Sequence, residues 1–137
     1  MRIDDVAQKL NIAKSQIRYY EKIGLLTVPR DDNQYRYFDD ATIIDLKMII
    51  DLKTLDIELK DIKYIIELFH MPTTEKCNSD SLTYMAKIIK EKEDELNNQL
   101  FILNKLKNIY SLSENNQYSL NKKVILDELN QRRLNDD

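Results

Sequence analysis

The sequence predicts a mainly α protein in two parts: a small N-terminal helical domain interrupted by one β-rich hairpin, then a single long helix. Three observations predict it. Apolar residues recur at helical spacing along most of the 137-residue chain. One Gly and two Pro leave little material for turns. From Leu82 onwards apolar residues return every seven positions, over a stretch longer than one small domain can cover.

A first helix is expected from Asp4 or Asp5, as cap, to about Leu10, with Ile3, Val6, Ala7 and Leu10 on one face. A break at Asn11 leads into a second helix, about Ala13 to Ile23, which turns Ile17 and Tyr20 inward; Ile12 faces the same way. Gly24 ends it as a left-handed residue. Leu26–Val28 and Tyr35–Phe38 are β-rich and flank Pro29–Gln34, so they read as a hairpin. Alternation should pack one of Tyr35 and Tyr37 against the helices.

Asp39 and Asp40 precede a third helix to about Leu55, with Ile43, Leu46, Ile49, Ile50 and Leu55 as its apolar positions. A fourth spans roughly Leu59 to His70 and uses Leu59, Ile62, Ile65, Ile66 and Phe69. These elements form a domain over 1–70, and 71–80, with Pro72, reads as a connector. The heptad positions Leu82, Ile89, Leu96, Leu103 and Tyr110 then define a dimerisation helix over 81–113. Met85 and Leu106 hold the companion position, which Lys92 and Gln99 interrupt; Ile88, Ile102 and Ile109 widen the stripe. Thirty helical residues span ~45 Å, so the stripe needs a partner, most economically a second copy. A helical tail over 114–137, with Leu120, Val124, Ile125 and Leu129, is long enough to cover only part of that seam.

A charged fraction of 33% against 42% hydrophobic fits a soluble, helix-rich chain. No apolar run approaches the ~20 residues needed to cross a membrane, and the N-terminus is amphipathic rather than signal-like. A single Cys, Cys77, excludes an intrachain disulfide. The cytoplasm is the expected compartment. The net charge of −3 argues against indiscriminate nucleic-acid binding, but it hides a gradient. Seven Lys/Arg oppose five Asp/Glu in residues 1–38, five oppose ten in 39–80, and nine oppose nine in 81–137. The positive excess lies where a phosphate-facing surface is needed.

On the second helix Ser15, Arg18, Tyr19 and Lys22 share the face opposite Ile17, with Lys14 beside them. Such a helix suits a major groove, its early residues reaching bases while the basic ones meet phosphates. On those residues alone an ordinary solvated face remains an equal alternative. The hairpin adds Arg30, Tyr35, Arg36 and Tyr37; an Arg fork and a phenol hydroxyl are both good phosphate donors. Two short helices with a tight break are the size of a helix-turn-helix, and a basic, aromatic hairpin beside them can act as a wing on the flanking backbone.

The order Ile3–Val6–Ala7, Ile12, Ile17-Arg18-Tyr19-Tyr20-Glu21, Gly24-Leu25-Leu26, Pro29-Arg30 and Tyr35-Arg36-Tyr37-Phe38 resembles the MerR family of bacterial regulators over about residues 1–113. The resemblance implies a winged helix-turn-helix DNA-binding domain with a second helical pair, and an antiparallel coiled-coil homodimer on a palindromic operator inside a promoter. There it would bend and untwist the DNA so that RNA polymerase can use it, under the control of a small effector. It also implies DNA contacts from Arg18 and Tyr19 on the second helix and from Tyr35 and Arg36 on the wing, with Lys14 and Ser15 as base readers. Four positions depart from the family pattern. Ala13 and Glu58 replace capping hydroxyls, and Gln34 and Asp56 replace glycines, which leaves Asn33 to supply a left-handed wing residue.

The effector is open at this point. Drug-binding members carry a large C-terminal domain for which residues 114–137 are too few. Cys77 stands where metal-sensing members place a first thiolate, yet Ser111–Tyr118 offers no soft ligand, and His70 with Cys77 makes at most two. No metal site and no cofactor is therefore expected. Cys77 as a redox or electrophile sensor, favoured by Lys76 and opposed by Glu75, stands beside an inert thiol and a small apolar ligand near the coiled coil. One His, one Cys and no phosphate loop give no enzyme reading. A DNA-architectural factor that senses nothing is the rival, and the heptad helix argues against it.

Overall fold

In the computed structural model the backbone is described over residues 1–71, 75–114 and 118–131, and the side chains over 1–71, 79–114 and 121–131. The helices are α1 (Ile3–Leu10), α2 (Lys14–Lys22), α3 (Asp40–Thr54), α4 (Leu59–His70), α5 (Glu75–Ser113) and α6 (Tyr118–Asn130). They divide into two compact units, Met1–Ser81 and Leu82–Asp137.

In the first unit α1 packs on α2 and α3 on α4. The core is drawn from every element: Val6, Ile17, Tyr20, Phe38, Leu46, Ile49 and Ile62 are almost wholly buried. Three of these helices stop in the same way, with a left-handed residue followed by an apolar one. Asn11 (φ 53°), Gly24 (φ 79°) and Asp56 (φ 60°) take the left-handed position. The N–H groups of Ile12, Leu25 and Ile57 then reach back to the carbonyls of Ala7, Tyr20 and Leu52, at 3.0, 2.9 and 3.2 Å. These are Schellman closures, which satisfy carbonyls that a helix end otherwise leaves open. They also explain a correction: Leu55 lies beyond the last helical residue and is exposed, while Ile57, past the turn, enters the core. Phe69 also departs from expectation, standing 66% exposed near the end of α4.

Helix starts are less uniform. Asp39 caps α3, its carboxylate accepting from Thr42 N at 2.8 Å and Thr42 Oγ1 at 2.7 Å. These bonds hold the Asp39 carboxyl below its usual range. α1 is not capped by Asp4 or Asp5: its N-cap is Arg2, and both acids sit in the first turn. There they still oppose the positive end of the helix dipole. Ala13 and Glu58 precede α2 and α4 without a side-chain cap bond.

The hairpin is tighter than expected. The described residues contain no strand at Leu26–Val28 or Tyr35–Phe38; an isolated antiparallel bridge joins Arg30 to Arg36. Pro29 has no N–H to extend a ladder, and the Asp31 carboxylate takes the Tyr35 N–H at 3.0 Å. Gln34 (φ 67°), not Asn33, supplies the left-handed residue. Without a pleated strand the alternation rule fails: Tyr35 and Tyr37 are both exposed, at 63% and 48%, and Phe38 alone of that run turns fully inward.

α5 is 39 residues long, roughly 58 Å at 1.5 Å per residue. It includes Glu75–Asp80, so most of the stretch expected as connector is helical. Beyond Pro72 that stretch holds no Gly or Pro to stop a helix. Leu82, Ile89, Leu96, Leu103 and Tyr110 are all exposed, between 47% and 69%. α6 runs antiparallel to the end of α5. Asn121 Nδ2 donates to Leu112 O at 2.7 Å, Asn108 Nδ2 to Glu128 Oε1 at 2.8 Å, and Lys105 to the carbonyls of Leu129 and Gln131. It buries Ile125 but leaves Val124 and Leu129 exposed, and Leu103, Leu106 and Tyr110 uncovered. Of the tail positions expected to cover part of the seam, Ile125 is buried and Val124 and Leu129 stay exposed; Leu120 lies outside the described side chains.

Candidate nucleic-acid interface

α2 is anchored by Ile17 and by Tyr20, whose hydroxyl accepts from Gln16 Nε2 at 3.1 Å. With that face buried, helical periodicity turns Lys14, Ser15, Arg18, Tyr19 and Lys22 outward, and all five are exposed. Lys14 is not free in solution: its Nζ lies 2.7 Å from Asp4 Oδ1. The Lys14 bond, then its charge, hold the Asp4 carboxyl below its ordinary value, and the Arg18 charge adds to this.

The wing is built around two carboxylates. Asp31 Oδ1 accepts from Asn33 N at 2.9 Å and from Tyr35 N at 3.0 Å. Its Oδ2 is 2.6 Å from Arg2 Nη1, and the Arg2 guanidinium lies 5.0 Å from the centre of the Tyr35 ring. Glu21, at the end of α2, accepts on Oε1 from Arg36 Nε at 2.8 Å and from Arg30 Nη2 at 3.1 Å. Partial burial alone would raise the Glu21 carboxyl. The bonds and charges of Arg36 and Arg30 together outweigh it and set its pKa below the ordinary value. Neither arginine is consumed by this pairing, since each guanidinium offers five N–H donors.

These elements meet. Arg2, Ile3, Asp4, Arg18, Tyr35 and Arg36 line a shallow concavity of about 370 Å³. The expected α2 and wing residues Arg18, Tyr35 and Arg36 thus share one surface, while Lys14, Ser15 and Tyr19 stand exposed on the same helix as Arg18. Sequence reasoning placed no role on Arg2, Asp31 or Glu21. An Asp at the head of a four-residue turn is the one signal that pointed to Asp31. A larger concavity, about 760 Å³, lies between the exit of α2 and helices α3 and α4, with His70 Nε2 2.9 Å from Asp45 Oδ2 among its lining residues. Among the described residues no group of three His, Cys, Asp or Glu side chains is placed to hold a metal ion. The Cys77 side chain lies outside the described residues. No described helix is long and apolar enough to cross a membrane.

Comparison with known proteins points the same way. Residues 1–68 match the family described as MerR HTH family regulatory protein. The chain is 36% identical over 66 residues to the HTH-type transcriptional regulator CueR of Bacillus subtilis, covering 48% of this chain and 46% of that protein. It is 30% identical over 86 residues to CueR of Yersinia pestis, 62% of each. The chain spans about half the length of the curated relatives it matches. Among solved structures it resembles that of HiNmlR, described as a MerR family regulator lacking the sensor domain, bound to promoter DNA. There the TM-score is 0.63 at 28% identity, over 82% of this chain and 91% of that one.

Proposed function

The chain belongs, through residues 1–68, to the MerR family of helix-turn-helix regulatory proteins, and from that premise we propose that it is a sequence-specific transcriptional regulator acting on promoter DNA. It binds as a homodimer to a palindromic operator and switches transcription for RNA polymerase by distorting the duplex, a small effector biasing the two states. It acts in the cytoplasm and carries no enzymatic activity.

One observation carries this reading. Arg18 from α2 and Tyr35 and Arg36 from the wing line the same concavity, so a helix sized for the major groove and a loop sized for the flanking backbone face one duplex. In this arrangement Lys14 and Ser15 reach base edges, Arg18 and Tyr19 hold the groove, and Arg30, Tyr35 and Arg36 hold phosphates. The exposed heptad positions of α5 support the dimer, because a stripe of that length is covered most economically by a second copy. The likeness to a regulator described as bound to promoter DNA supports the ligand.

Arg18→Ala and Arg36→Ala are each expected to weaken binding to a duplex selected by the wild-type protein, by about tenfold or more, with the oligomeric state unchanged. Anisotropy titration and sedimentation read both. Unchanged affinity in both variants would refute the assigned contacts.

A further inference from the structure

We propose that Arg2 is a positioning residue: it latches the wing to the start of α1 and presets Tyr35 and Arg36 for the DNA backbone. This rests on the DNA-binding reading above and assigns a part to a residue outside the helix-turn-helix and wing contacts.

The Asp31 carboxylate links the wing turn to Arg2. One oxygen gathers the N–H groups of Asn33 and Tyr35 and so shapes the turn. The other is taken by Arg2. Arg2 therefore reads the turn's geometry from outside it, and through a second contact it also lies over the Tyr35 ring. Tyr35 is the most exposed wing aromatic, and the Arg2 contact restrains its ring. The backbone adds a third tie, Phe38 N donating to Met1 O at 2.7 Å beside Arg2. A guanidinium held against both a carboxylate and an aromatic face fixes its neighbours, a role that does not require it to meet DNA itself. Its flat shape matters, because a lysine keeps the charge but not the stacking.

A phosphate contact and a positioning role separate by salt dependence. Each phosphate contact contributes about 0.9 to the slope of log affinity against log salt, whereas a positioning residue contributes nothing to it. The full chain would be compared as wild type, Arg2→Ala, Arg2→Lys and Asp31→Asn. The duplex is one recovered by the wild type from a library randomised over about 30 base pairs, titrated across a salt series. Hydrogen exchange at the Asn33 and Tyr35 amides is followed in the free proteins.

Arg2→Ala and Asp31→Asn are expected to lose about five- to tenfold in affinity at the wild-type slope, with faster exchange at both amides. Arg2→Lys, which folds with its charge kept, falls between them and the wild type. A slope reduced by about one in Arg2→Ala, with wing exchange unchanged, would overturn the proposal in favour of a direct phosphate contact. Wild-type affinity in Arg2→Ala would overturn it while leaving the DNA-binding reading intact. Failure of the wild type to recover any duplex overturns both.

Discussion

Glu21 shows how much of the interface is decided by single side chains. Its carboxylate joins the end of α2 to both stems of the wing, and the two arginines hold its pKa below the ordinary value of 4.5 against the opposing effect of burial. A carboxyl depressed in the fold takes up its proton later than in the unfolded chain, so its stabilisation is complete above the ordinary value and is lost as pH falls through the folded one. Glu21→Gln should therefore cost about 1.5–3 kcal/mol at neutral pH, as for a hydrogen bond to a charged group. The difference from wild type should shrink as both are acidified below about pH 4, in urea titrations. The arginines were legible in the sequence as phosphate donors because charge and type suffice to nominate them. Their partner was not, because Glu21 lies 9 and 15 residues from them and only the turn at Asp31–Tyr35 brings the three together. For the same reason the pairing of Lys14 with Asp4 was hidden: it depends on how α1 crosses α2.

Helices were the legible elements, since apolar spacing dictates which face is buried, and α2 turned out the face that periodicity required. Their ends were less so. Asp56 and Gln34 adopt left-handed conformations that cost a side-chain-bearing residue roughly 1–2 kcal/mol, which the surrounding closures absorb. The wing lost its strands to local chemistry that no β propensity describes: a proline without a donor and an aspartate that competes for the ladder's N–H. At the other end of the scale α2 begins on Ala13 with no side-chain cap. Ala13→Ser should stabilise the protein by about 0.5–1 kcal/mol, seen as a rise in Tm; an unchanged Tm would mean that the first-turn N–H groups already find other acceptors.

For the whole molecule the exposed stripe on α5 is the largest unsettled account. Leaving Leu82, Ile89, Leu96, Leu103 and Tyr110 in water forfeits several kcal/mol of apolar burial, at about 1.5–3 kcal/mol for each fully buried side chain. A second chain on the stripe would recover it, as the proposed dimer requires, whereas α6 leaves these five residues exposed. Leu96→Lys with Leu103→Lys is expected to give a monomer by sedimentation and to lose at least tenfold in duplex affinity. The heptad was plain from sequence because it is periodic, and so was the short reach of the tail; the side-chain bonds that seat α6 on α5 were not, because they follow no repeat. The most direct test of a dimeric, groove-reading regulator is to select duplexes with the wild-type chain and measure how many chains bind each one. The account predicts a two-fold symmetric site occupied by two chains, with half-sites one helical turn or a multiple of it apart. Duplexes without symmetry, bound by single chains with no sequence preference, would contradict it.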